Sequence, residues 1–128
     1  MYPKKKNAAK PVDTQADIET AEKEDELETI YAIFGDDFSE LSTLYQTDSP
    51  KRIAILQEAI AAGDRVRVAK VAHAFSGSCA SIGATRLSAL CKDLELLAKD
   101  AASQGLEEKL AEVETEYQRV SAKMQSLA

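Results

Sequence analysis

The sequence predicts an all-α protein: an antiparallel up-down-up-down four-helix bundle with one or two extra N-terminal covering helices. Three observations carry this. Ala, Leu, Glu and Lys are abundant among the 128 residues, and all four are strong helix formers. Val and Ile are few and dispersed, so no run reads as a strand. Apolar residues recur at spacings of three and four, and short turn signals separate the periodic segments. The length is that of one domain, enough for a single hydrophobic core.

Residues 1–13 carry two prolines and four lysines with no apolar period. They read as a disordered or linker tail, and 14–128 as the bundle domain. Acidic residues crowd 17–28, a solvated surface. A weak helix is expected from Thr14 to Phe34, its apolar stripe made by Leu27, Ile30, Tyr31 and Phe34. Gly35 ends it, and Asp36 or Asp37 caps the next. That helix, 37–47, points Phe38, Leu41 and Tyr45 inward. The run TDSP stops it, with Ser49 as N-cap and Pro50 in the first position of a helix over 50–62. Ile53, Leu56 and Ile60 face its core, Gly63 ends it, and Asp64 caps another.

The helix over 65–80 has Val68, Val71, Ala72, Phe75 and Cys79 inward. A break at Ser81–Gly83 precedes a helix over 84–103, with Leu87, Leu90, Cys91, Leu94, Leu97, Ala98 and Ala101 inward. Gln104 and Gly105 turn the chain. The last helix, 106–126, lines up Leu110, Val113, Tyr117, Val120, Met124 and Leu127 as a narrow seam.

Charge and motif content exclude several functions. A net charge of −6 and a pI near 4.8 disfavour nucleic-acid binding, which needs a basic face. No apolar run is long enough to span a bilayer, and no signal-peptide pattern opens the chain. A soluble, cytoplasmic domain without direct membrane contact is expected, whether it stands alone or is cut from a larger membrane-anchored chain. Cys79 and Cys91 lie on inward faces and read as buried structural thiols, since too few ligands surround them for a zinc site. Asp93 and Glu95 read as a solvated helix face. No phosphate-binding glycine motif is present, so ATP-dependent autophosphorylation is not expected.

The stretch AHAFSGSCASIGATRLSALCKDLE, residues 72–95, holds the only histidine, His73. Side chains three and four apart share a helix face, which places Ala69, Lys70, Ser76 and Gly77 around His73 and most of the core set on the other side. Gly77 is costly inside a helix, about 1 kcal/mol relative to Ala. A helix tolerates that where another macromolecule must approach the imidazole, the side chain best suited to nucleophilic work near neutral pH.

These residues carry a family resemblance. Ala72-His73-Ala74-Phe75-Ser76-Gly77-Ser78, then Gly83-Ala84, Leu87, Cys91, Leu94 and Glu95, match a pattern of A-H-x-L-K-G-S, G-A, L, C and L-E at fixed spacings. The sequence resembles the histidine-containing phosphotransfer (HPt) domains of multistep two-component phosphorelays. The upstream segment FGDDFSELSTLYQTDSPKRIAILQEAIAAGD resembles that family's earlier helices more loosely. The resemblance implies a four-helix bundle whose exposed His73 accepts a phosphoryl group from a receiver-domain aspartate and passes it to another. By the same resemblance Gly77 provides clearance, and Lys70 and Ser76 flank the phosphoryl position. Gly83, Leu87, Cys91 and Leu94 hold the helix junction and core. Two departures stand out: Phe75 replaces the usual Leu, and Ser76 replaces the usual Lys or Arg that helps neutralise the phosphoryl group. Lys70, one turn earlier, is expected to supply that charge, and Ser76 a hydrogen bond.

The expected partners are response-regulator receiver domains, with a hybrid histidine kinase as a further one, and the chain is expected to act as a monomer, stand-alone or as the C-terminal module of such a kinase. No cofactor or metal is expected on this chain; Mg²⁺ is expected in the partner receiver. The rival reading is a non-catalytic helical adaptor that binds receivers without phosphotransfer, which Ser76 favours. A regulatory bundle with an incidental histidine leaves Gly77 and Gly83-Ala84 unexplained.

Overall fold

The computed structural model describes residues 26–127. The expected tail over 1–13 and the first part of the helix expected from Thr14 lie outside the described residues. From Glu26 the order is α1 (Glu26–Phe34), a 3-10 turn (Gly35–Asp37), α2 (Phe38–Ala61), α3 (Arg65–Ser81), α4 (Thr85–Lys99) and α5 (Leu106–Leu127). Helices α2–α5 form the bundle and α1 covers one end of it, the all-α architecture read from the sequence. No strand occurs among the described residues.

The two helices expected over 37–47 and 50–62 are one. Helix α2 runs unbroken through Pro50, so Ser49 is not an N-cap but a buried helix residue, and Pro50 is not a first position. Asp37 makes no capping hydrogen bond either, because its backbone is already helical and continues the 3-10 turn. The physical reason is a single stripe: Phe38, Ser42, Tyr45, Ser49, Ile53, Leu56 and Ala59 are all buried along α2. A proline inside a helix costs about 3 kcal/mol. Burying large apolar side chains returns about 1.5–3 kcal/mol each, and the stripe has two on either side of Pro50, Phe38 and Tyr45 before it and Ile53 and Leu56 after it.

Helices α3 and α4 pack against each other more extensively than any other pair. Asp64 caps α3 as expected, its carboxylate accepting from the Arg67 N–H at 3.1 Å. The turn between α3 and α4 depends on Gly83. Its φ of +86° suits glycine, and a Cβ there would lie 2.8 Å from the Glu26 carbonyl oxygen and 2.9 Å from Ile30 Cγ1. The covering helix is thus seated directly on this turn. Thr85 Oγ1 donates to Glu26 Oε2 at 3.2 Å, and Lys123 Nζ pairs with Glu28 Oε1 at 3.3 Å.

Helix α4 ends at Lys99, four residues before the expected end, and Ala101 is exposed rather than inward. Arg65 explains the early stop. Its guanidinium donates to the carbonyls of Leu97 and Asp100 at 3.0 and 2.9 Å and also to Ser103, closing the end of α4 as a side-chain cap. The core joins all five helices; Leu56, Val68, Phe75, Leu87, Leu94, Val113 and Met124 are fully buried. Cys79 and Cys91 are buried free thiols within it, and burial pushes the Cys79 thiol pKa far up.

Candidate functional site

Helix α3 is clasped on two sides. Helix α2 packs along one flank and α4 along the other, leaving a strip of α3 between them open to solvent. His73 stands on that strip, its side chain 72% exposed. The buried set of α3 is Val68, Ala69, Ala72, Phe75, Ser76 and Cys79, with Val71 packed against it. The buried arc therefore reaches further toward α4 than the spacing predicted, and it takes in Ala69 and Ser76.

The placement of Ser76 corrects the sequence reading. Ser76 Oγ donates to the Ser88 carbonyl at 3.0 Å, and Ser88 Oγ donates to the Ser76 carbonyl at 2.9 Å, with the two hydroxyls 3.0 Å apart. This reciprocal clasp draws α3 against α4 and turns Ser76 away from the face of His73. Nothing in this geometry offers its hydroxyl to a phosphoryl group. Steric closeness decides it: two short side chains let the backbones meet, where a long cation would have to leave for the surface.

Glu95 takes the opposite course. The sequence reading placed it on a solvated face; it is buried. Its Oε1 lies 3.2 Å from His73 Nδ1, and its Oε2 lies 2.8 Å from Lys99 Nζ. Lys99 foremost, and then the imidazole, hold the carboxyl pKa below its ordinary value against the opposing effect of burial. An ionised carboxylate only accepts hydrogen bonds. The contact is therefore a hydrogen bond in the tautomer whose Nδ1 carries the proton, and that tautomer leaves the Nε2 lone pair free. The sequence held one local sign of this, the Glu95–Lys99 spacing of four, but the pairing with His73 crosses between helices.

Lys70 is exposed and lines a shallow depression of about 320 Å³ together with Ala69, His73, Glu95 and Lys99. On the other flank Arg52, from α2, donates to the Ala74 carbonyl at 2.8 Å. Gly77 lies one turn beyond His73, and a Cβ there would meet nothing within 4 Å. No packing among the described residues requires a glycine at that point, and its φ is not in the left-handed region. The structure thus brings His73, Lys70, Glu95 and Lys99 to one place, keeps Gly77 open beside them, and takes Ser76 out of the set.

A helical bundle with one histidine set out on a bared strip, its ring anchored through one nitrogen, is the form of a carrier for a group delivered by another protein. The sequence model of the Hpt domain matches residues 40–123, well over half of the chain. The crystal structure of histidine-containing phosphotransfer protein B (HptB) from Pseudomonas aeruginosa PAO1 is similar at a TM-score of 0.72 and 27% identity, over 78% of this chain and 87% of that one. No curated protein sequence matches this chain. The chain belongs to the Hpt domain family. Its role is histidine phosphotransfer in a phosphorelay, and domains of this family generally interact with response-regulator receivers.

Proposed function

We propose that His73 is the phosphoacceptor, taking a phosphoryl group from a receiver-domain aspartate and giving it to another. The observation that carries this is the pairing of an exposed ring with a buried carboxylate: Glu95 occupies Nδ1 and leaves Nε2 facing outward. Nε2 attacks phosphorus in line; an N–P bond forms, the P–O bond to the aspartate breaks, and the aspartate leaves as a carboxylate. The Nδ1 proton stays on the ring against Glu95, so the product is a phosphoimidazolium beside an anion. The second transfer runs the same step backward onto another aspartate. The transition state is loose, so positioning and charge neutralisation supply most of the rate. Mg²⁺ belongs to the receiver in this reading, and this chain acts as a monomer that needs no metal or cofactor of its own.

Lys70, on the open strip one turn before His73, supplies the positive charge that Ser76 does not. The clasp to Ser88 gives Ser76 a packing role between α3 and α4, and the charge missing at that position falls to Lys70 in this reading. The test is incubation with a phosphorylated receiver. An acid-labile, base-stable phosphoryl group is expected on the wild-type protein and none on His73→Gln, whose exposed substitution leaves the fold intact. Binding of the receiver without transfer by the wild-type protein would establish the adaptor instead. In the same assay Lys70→Ala is expected to slow transfer by roughly two- to fivefold, the range of an exposed charge interaction. Lys92→Ala, further along the surface of α4, is expected to leave the rate near wild type; equal rates for the two variants would remove Lys70 from the site.

A further inference from the structure

A carboxylate beside an imidazole does two things at once. It orients the ring by taking one N–H, and it stabilises the protonated imidazolium, which has no lone pair to attack phosphorus. The first helps this reaction and the second opposes it. Glu95 stands 3.2 Å from His73 Nδ1 and is buried, within reach of the ring for either effect.

The charged groups that line the depression with the ring come from two helices: α3 offers Lys70, and α4 offers Glu95 and Lys99. From α2, Arg52 reaches the neighbouring turn of α3. Arg52 is committed to the Ala74 carbonyl. Lys70 has the open side of the strip. Lys99 is the cation bonded to the carboxylate among the described residues, through the oxygen that His73 does not use. We propose that Lys99 is a positioning residue: it fixes the rotamer of Glu95 and offsets its charge, so that the carboxylate orients the His73 ring without drawing a second proton onto it. This rests on the functional reading above and adds to it a residue that never touches the phosphoryl group. It also gives α4 a second task. Ser76 and Ser88 close the two helices together, and that closeness lets an acid on α4 reach a ring on α3.

The test is a double-mutant cycle on the full chain, with phosphoramidate as the phosphoryl donor because a small donor needs no docking surface. Phosphorylation of His73 by Lys99→Met is expected to be roughly two- to fivefold slower at neutral pH, the range of an exposed ion pair. Its pH profile is expected to move toward higher pH, because the uncompensated carboxylate favours the protonated ring. Lys99→Arg restores both rate and profile. In a Glu95→Gln background Lys99→Met has no further effect. Nitrogen NMR of the ring, read on the single histidine, is expected to show the Nδ1-protonated tautomer in the wild type and a larger share of doubly protonated ring at the same pH in Lys99→Met. The proposal is overturned if Lys99→Met keeps the wild-type profile and ring protonation, or if it shifts them equally with and without Glu95. A wild-type protein that takes phosphoryl from phosphoramidate but never from a receiver would sink the functional reading, while the cycle and the ring signals would still decide the role of Lys99.

Discussion

Gly77 bears the cost of a helical glycine with nothing among the described residues to require it. Its backbone is ordinary helix, and an added methyl meets open space. The proposed phosphotransfer supplies a reason for it, a partner that comes close to the ring of His73. That separates stability from function at one residue. Gly77→Ala is expected to raise unfolding stability by about 0.5–1 kcal/mol, the helix preference of Ala over Gly, as measured by urea denaturation. The same variant is expected to slow transfer from a phosphorylated receiver by roughly tenfold, since small displacements of a reacting pair are expensive. A loss of stability would mean that Gly77 serves the fold after all. Gly83 is the contrasting case, held by its φ of +86° and by the Glu26 carbonyl against it.

At the scale of the element, α2 shows tertiary packing overriding local punctuation. Ser49-Pro50 reads as a helix start, and the chain continues through it as helix. Pro50 is exposed and leaves the Gln46 carbonyl without its usual N–H partner four residues on. Pro50→Ala is expected to stabilise the protein by about 1–3 kcal/mol in urea denaturation. A fall in stability would show that the proline ring packs or pre-orders the chain in a way that outweighs the lost hydrogen bond. Helix α4 makes the converse point: its periodicity runs on past Lys99, but the Arg65 guanidinium takes the carbonyls of Leu97 and Asp100 and ends it.

For the whole molecule, the buried acid of the site links function to acid stability. The folded-state pKa of the Glu95 carboxyl is lowered below its ordinary value of 4.5, first by Lys99. A lowered carboxyl pKa contributes stability that is fully present above the ordinary value and is lost as pH falls through the folded one. Wild type is therefore expected to be more stable than Glu95→Gln at neutral pH, with the gap closing below the ordinary carboxylate range. Urea midpoints across pH check this. A gap independent of pH would show that packing of the side chain, and not its charge, sets the difference.

The helical class, the apolar seams of α3 and α5, the Asp64 cap and the exposed histidine with its glycine neighbour are legible in the order of residues. Each of these follows from residues within one or two turns of one another, and helix periodicity reports such neighbours directly. The continuity of α2, the inward turn of Ser76 to Ser88, and the place of Glu95 between His73 and Lys99 come from helix packing. Those outcomes depend on which helices meet and how closely. Residues 73 and 95 become neighbours only when α3 and α4 close, and no local spacing encodes that distance.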